Sequence, residues 1–338
     1  MSLDQFILEI LPEFEEDLRN SVLFDVPESF PGLKEMINYH FGWTEKTVSK
    51  QSQGKQVRPM ILLLSSLICG GDWRKSLPAA VAIELIHNFS LIHDDIEDQS
   101  ELRRGRKTLW KVYGIAQAIN TGDAMFSLAQ LNMLKLGNKI SKTVGFDASQ
   151  KLNETCLNLT CGQYLDISFE NKSEVSRDEY FIMIGGKTAA LLAASGEIGA
   201  IAAQSSNNNR LALRSYGEAL GLAFQAWDDW LGIWGNEEQT GKSASSDLVT
   251  GKKTLPILYA MEKKGDFSEA YQKEGSRIDR LEELINLIEN DGAKEYTESV
   301  ANHYTELALL SLKSLNVNHP DAYMALVELT NLLIQRNK

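Results

Sequence analysis

Residues 81 to 92 read VAIELIHNFSLI, and Ile83, Leu85, Ile86, Phe89, Leu91 and Ile92 would cover nearly the whole circumference of a helix. A helix apolar almost all round belongs inside a protein. The chain then continues HDDIEDQSELRRGRK, which puts Asp94, Asp95, Glu97 and Asp98 within five positions and follows them with Arg103, Arg104, Arg106 and Lys107. A buried helix must therefore end in concentrated like charge, and that charge needs a partner.

The rest of the chain reads the same way. Helical periodicity recurs, strand-like alternation is hard to find, and there are only seven prolines in 338 residues. These features predict an all-α fold, a single-domain helical bundle over 1–338 with roughly ten or more helices around a central apolar cavity. Gly, Pro, Asn and Ser punctuation puts breaks at 25–32, 70–72, 103–107, 171–178, 204–209 and 235–247. Apolar residues at 43% and charged residues at 24% supply core enough to enclose such a cavity.

A net charge of -12 argues against nucleic acid or an anionic membrane as the main partner. Cys69, Cys156 and Cys161 have neither CxxC spacing nor a repeated pattern, so a reducing cytoplasm is the expected compartment. The N-terminus is acidic and lacks the basic region of a secretory signal. MILLLSSLICG is too short to span a membrane, TAALLAASGEIGAIAA carries Glu197, and no membrane span is expected.

Asp94 and Asp98 lie one turn apart, with His87 nearly in line. Like charges at that spacing cost a helix a few tenths of a kcal/mol in water, and more where water is scarce. Magnesium suits them, because it takes carboxylate oxygens and shares its remaining positions with water and phosphate. The EF-hand ligand rhythm for calcium is missing, and His93, the nearest zinc-type ligand, points about 100 degrees away from Asp94. A solvated helix end is the plainer reading of this cluster alone. A second acidic run, FQAWDDWLGIWG (224–235), sets Asp228 and Asp229 among aromatics expected to pack inward, where solvation explains less and a buried ion pair is the alternative.

Cations recur beside Gly, Ser or Thr in QGKQVRP (53–59), RRGRK (103–107), GGKTAA (185–190) and TGKSASSDLVTGKKTLP (240–256). None forms a Walker A loop or a dinucleotide fingerprint. Together they describe metal-binding carboxylates, more phosphate-binding cations than one diphosphate needs, and an apolar interior. Metal ions on a diphosphate stabilise it as a leaving group, and a nearby alkene can capture the carbocation that results.

In this order, DDxxD with RRG, GQxxD (162–166), KTA (187–189), FQxxDD and GKxxxxDLxxGKxTLP make the chain resemble the trans-polyprenyl diphosphate synthases, from about residue 40 to 260. The resemblance implies a magnesium-dependent transferase that is a homodimer, with three ions per site. It assigns metal binding to Asp94, Asp95, Asp98, Asp228 and Asp229, and isopentenyl diphosphate to Lys55, Arg58, His87 and Arg104. Arg103, Lys187, Lys242 and Lys252 would clamp the allylic diphosphate. Thr188 and Gln225 would lie near the developing cation, with Phe224 lining the same space. The released diphosphate would take the final proton, so no side-chain base is implied.

Three positions depart from the family pattern: Gln56 replaces an arginine, Lys107 a proline, and Gly232 the third aspartate of the second acidic motif. Product length is expected to depend on Phe89 and Ser90, roughly 7.5 and 6 Å before Asp94 along the helix. In the resembled family, DDxxD without inserted residues and with an aromatic five positions upstream is common in enzymes making the twenty-carbon product, so the resemblance implies geranylgeranyl diphosphate, with farnesyl or a twenty-five-carbon product as alternatives. Phe89 as ordinary core packing is the competing reading. A terpene cyclase would require an NDxxSxxxE-like site, which is missing, and a regulatory subunit without activity is the non-enzymatic rival.

Overall fold

The computed structural model describes residues 1–43, 56–235, 245–273 and 275–334. Its elements begin with α1 (Leu3–Asp25), α2 (Pro31–Phe41), α3 (Val57–Ile68) and α4 (Trp73–Glu97), followed by a hairpin of β1 (Leu102–Arg103) and β2 (Arg106–Lys107). Next come α5 (Leu109–Tyr113), α6 (Ile115–Lys139), α7 (Lys142–Glu170), α8 (Arg177–Ile184), a π-helical turn (Gly185–Ala189), α9 (Ala190–Ala202) and α10 (Asn207–Trp234). The remainder is α11 (Ser246–Thr250), α12 (Leu255–Glu262), α13 (Asp266–Gln272), α14 (Leu281–Asn290), α15 (Ala293–Leu312) and α16 (Pro320–Ile334). The fold is all-α, as expected, and its helix boundaries follow the Gly, Pro and Ser punctuation at 25–32, 70–72 and 171–178.

Two compact units are distinguished. The first comprises Met1–Cys156, Ala194–Arg214 and Leu315–Glu328. Its centre is α4, which packs most extensively on α6 and α3. Ile83, Leu85 and Ile86 are fully buried, so the apolar periodicity of this helix becomes core. Asp72 caps the helix by accepting from the Arg74 amide, satisfying one of its orphan donors. The second unit comprises Leu157–Ala193, Ser215–Ser314 and Leu329–Lys338. Ile233, Leu248, Ile257, Phe267, Leu284 and Ile288 form a buried cluster there that ties the end of α10 to the elements following it.

Three features differ from the expectation. Residues 103–107 form a hairpin, not a plain loop, with register Leu102↔Lys107 and Arg103↔Arg106. Arg104 and Gly105 both have positive φ, 53° and 75°, as a tight two-residue turn between twisted strands requires. The GGKTA segment is a π-turn inserted between α8 and α9. Finally, Arg177–Ala202 is, among the described residues, long and apolar enough to cross a membrane by length and composition, yet 56% of its most apolar window is buried inside the protein. Glu197 in that stretch pairs with Lys151 at 3.3 Å.

Candidate functional site

The first acidic cluster occupies the last turn of α4, with Asp98 as the C-cap residue. The negative end of the helix dipole lies there, so four acids in that turn oppose both one another and the helix. The hairpin supplies the offset. Arg103 Nε donates to both carboxylate oxygens of Asp95 at 2.9 Å, and its Nη2 lies 2.8 Å from Asp95 Oδ1 and 3.5 Å from Asp94 Oδ2. Asp95 is 3% exposed; burial raises its carboxyl and the arginine partly counters that rise. Asp98 is exposed, and its amide bonds to the Asp94 carbonyl at 2.9 Å, so the two carboxylates stack one turn apart. His93 faces away from Asp94, with its Nε2 3.8 Å from Asp123 on α6 and its ring against Phe89.

The hairpin is strapped to α2. Arg106 stacks over the Tyr39 ring and donates to the Tyr39 carbonyl at 2.8 Å, while the Tyr39 hydroxyl donates to the Lys107 carbonyl. Tyr39, His40, Asp95, Arg103, Arg104 and Arg106 line one recess. In this way the RRG motif presents cations beside the acids.

Behind that recess lies a polar knot. Arg58 Nη1 meets His87 Nε2 at 3.4 Å; since the guanidinium only donates, His87 accepts there and carries its proton on Nδ1. Burial and then Arg58 and Arg104 hold His87 well below its ordinary pKa. Asn88 donates its amide to the backbone and side-chain oxygens of Glu84 at 2.8 and 2.9 Å, which turns its own oxygen toward His40 Nε2 at 3.1 Å. His40 must donate, and burial first, then the arginines, push it down to about 3. Burial raises Glu84, against the pull of Asn88, Arg58 and Arg104. Arg58 Nε is buried with no hydrogen-bond partner among the described residues.

Glu84, Asn88 and His40 were missed by sequence reasoning. The available signal was two polar residues four apart, Glu84 and Asn88, on an otherwise apolar helix. Lys55 and Lys242 lie outside the described residues. Gln56, which replaces an arginine of the family pattern, starts α3 in a left-handed conformation and donates toward Glu15 at 3.4 Å. Phe89 is partly buried with its ring edge-on to Phe126 of α6, and the Ser90 hydroxyl returns to the His87 carbonyl.

The second unit gathers another set. The backbones of α7 and the π-turn approach so closely at Gly162 and Gly186 that a Cβ on Gly186 would stand 2.6 Å from the Asn158 carbonyl oxygen. That approach sets Lys187 against Asp166 of the GQxxD motif, with Nζ 2.5 Å from the carboxylate. The Thr188 hydroxyl donates to Gln225 Oε1 at 2.7 Å, and Gln225 Nε2 donates to Asp229 Oδ1 at 2.9 Å. Asp229 Oδ2 also accepts from the Tyr180 hydroxyl at 2.5 Å and the Leu255 amide at 2.8 Å. Burial pushes Asp229 up to about 7 despite these three donors. Asp228 is exposed instead of packed among the tryptophans, and so is Lys252. Phe224 is partly buried on the same helix.

Among the described residues, no group of three or more His, Cys, Asp or Glu side chains forms a ready-made metal cage. Magnesium does not require one, because it is held by one or two carboxylates together with water and substrate phosphate. Asp94 and Asp98 fit that role. An all-α fold that ends an acidic helix beside a basic recess is suited to holding a metal ion together with a phosphate group.

Comparison with known proteins narrows the class. Residues 43–288 match the family described as Polyprenyl synthetase. The (2E,6E)-farnesyl diphosphate synthase of Mycobacterium bovis is 38% identical over 284 residues, covering 81% of this chain and 78% of its own length. The geranylgeranyl diphosphate synthase of Mycobacterium tuberculosis is 34% identical over 311 residues, covering 90% and 87%. The geranylgeranyl pyrophosphate synthetase structure from Pyrococcus horikoshii superposes with a TM-score of 0.88 at 33% identity, over 98% of each chain. The chain belongs to the polyprenyl synthetase family and is a trans-prenyltransferase that makes short-chain prenyl diphosphates.

Proposed function

We propose that this chain joins isopentenyl diphosphate to an allylic diphosphate and stops at geranylgeranyl diphosphate. The observation that carries the reading is the acidic end of α4, Asp94 and Asp98 one turn apart, beside the basic recess that Arg103, Arg104 and Arg106 line. Magnesium would be held by Asp94 and Asp98 with Asp95 assisting, and by Asp228 with Asp229, as three ions per site. Its chemistry is to neutralise the leaving diphosphate. Arg103 forks onto Asp95, and Asp229 accepts three hydrogen bonds, so both carboxylates are held in place by the protein's own donors.

The remaining assignments follow from the same chemistry. Lys55, Arg58, His87 and Arg104 bind isopentenyl diphosphate; Arg103, Lys187, Lys242 and Lys252 bind the allylic diphosphate. Asp229 orients Gln225 by taking its amide protons, which leaves the Gln225 oxygen and the Thr188 hydroxyl as the dipoles for the developing cation. Residues 1–338 act as one synthase domain. A homodimer would cover large apolar side chains that are exposed here, including Leu134 and Phe146. Cys69, Cys156 and Cys161 form no disulfide among the described residues, which suits a reducing cytoplasm.

The test is to incubate the purified chain with magnesium, labelled isopentenyl diphosphate, and dimethylallyl, geranyl or farnesyl diphosphate, and to separate the products by chain length. A twenty-carbon product is expected. No label in an allylic product overturns the catalytic reading in favour of a subunit without activity, and a product that stops at fifteen carbons overturns the chain-length reading. Phe89→Ala should lengthen the product; an unchanged length would return Phe89 to ordinary packing against Phe126.

A further inference from the structure

The second unit contains a cavity of about 790 Å³ between the approach to α8, the ends of α11, α12 and α13, and the connection into α14. That volume is the size of a small-molecule site. None of its lining residues is among those assigned to metal, to isopentenyl diphosphate or to the allylic diphosphate. Lys253, Lys273 and Arg277 face a single carboxylate, Glu174, among the described lining residues, and none of the three cations forms an ion pair among the described residues. The lining is therefore cationic in a chain whose net charge is -12.

Its walls are fixed from behind. The Arg277 guanidinium lies 4.5 Å over the Tyr271 ring, which stacks at 5.1 Å on Phe267, a fully buried member of the apolar cluster. A Cβ on Gly251 would fall 2.7 Å from Arg277 Nη1, so glycine at 251 leaves the room that this guanidinium takes. Arg280 holds the connecting segment by donating to the Ala270 and Lys273 carbonyls at 2.5 and 3.0 Å. An arginine resting on an aromatic face without an acid partner keeps its fork free for an oxyanion. Tyr271, 5% exposed, lines the same cavity, and its hydroxyl has no hydrogen-bond partner among the described residues. Met261 and Ile278 add apolar surface, and Ile278 is 63% exposed. Cations alone would suit any anion, but beside an uncovered isoleucine they suit one that carries hydrocarbon.

We propose that this cavity is a further binding site, for an organic phosphate whose phosphoryl oxygens meet Lys253, Lys273 and Arg277 and whose apolar part covers Met261 and Ile278. The inference goes beyond the proposed function and does not rest on it, since none of these residues is given a role in prenyl transfer.

The test is hydrogen–deuterium exchange of the full-length protein with a metal chelator present, using farnesyl diphosphate and inorganic diphosphate as probes. Farnesyl diphosphate should slow exchange over residues 271–280, and inorganic diphosphate should need about tenfold higher concentration because it leaves Ile278 uncovered. Arg277→Gln and Lys273→Gln should each raise the farnesyl diphosphate concentration required about tenfold. The initial rate of isopentenyl diphosphate incorporation should stay at the wild-type value in both. Lys273 is exposed, so its variant carries the test if losing the stack of Arg277 on Tyr271 unsettles the fold.

No protection of 271–280 by either probe, equal protection by the two, or wild-type affinity in both variants overturns the proposal. Each of these results leaves prenyl transfer untouched, because the incorporation assay reports on it separately.

Discussion

The two acidic clusters solve one electrostatic problem with different partners. In the first, Asp95 is buried at the negative end of α4, and the forked guanidinium of Arg103, a partner that cannot give up its charge, counters part of the rise that burial imposes. In the second, Asp229 is equally buried, among donors that are all neutral: a tyrosine hydroxyl, a glutamine amide and a backbone amide. Burial dominates there, which is why Asp229 is pushed up to about 7. The first cluster brings its own cation on a hairpin, whereas the second is built so that an added cation has more to neutralise.

The largest effect should come from the leading acid of each motif. Asp94→Ala and Asp228→Ala are each expected to lower the rate of isopentenyl diphosphate incorporation about 10²–10³-fold, the usual scale for removing a charge-stabilising group. Steady-state assays at saturating magnesium would measure this. A rate within tenfold of wild type for either variant removes that residue from metal binding and breaks the parallel between the clusters.

Stability separates the clusters next. Arg103→Ala leaves a buried carboxylate without its ion partner and should cost about 3 kcal/mol. Tyr180→Phe removes one of three neutral donors from Asp229 and should cost about 1.5 kcal/mol. Urea unfolding of the two variants beside wild type measures the difference. If the costs came out in the reverse order, Arg103 would not be the element that makes the α4 terminus tolerable.

Much of this arrangement can be read along the chain. The apolar run ending at Ile92 becomes a core helix, and the DDxxD spacing stacks Asp94 on Asp98 as helical periodicity requires. The unread parts depend on tertiary contact. The RRG hairpin requires Arg104 at positive φ, which residue type does not signal. The π-turn at Gly185–Ala189 follows from a close backbone approach at Gly162, on a helix distant in sequence. Asp228 is exposed although its neighbours are tryptophans, since one turn of helix is enough to carry a residue from core to solvent.

The smallest expected effect tests the polar knot that supports the first cluster and has no counterpart described at the second. His40 is held down to about 3 by burial and nearby arginines while it donates to Asn88. Because the folded pKa lies below the unfolded value near 6.5, the unfolded chain takes up the proton first and stability falls as pH drops below about 6.5. His40 keeps some accessible surface, so the full loss of about 1.4 kcal/mol at pH 5.5 is an upper bound. Glu84 carries the opposite sign: burial raises its folded carboxyl, so proton uptake there works in favour of the folded state. His40→Gln keeps a donor for Asn88 without the titration, and should flatten the fall in melting temperature between pH 6.5 and 5.5. An equally steep fall in that variant would shift the acid sensitivity to His87, whose burial beside Arg58 and Arg104 carries the same sign.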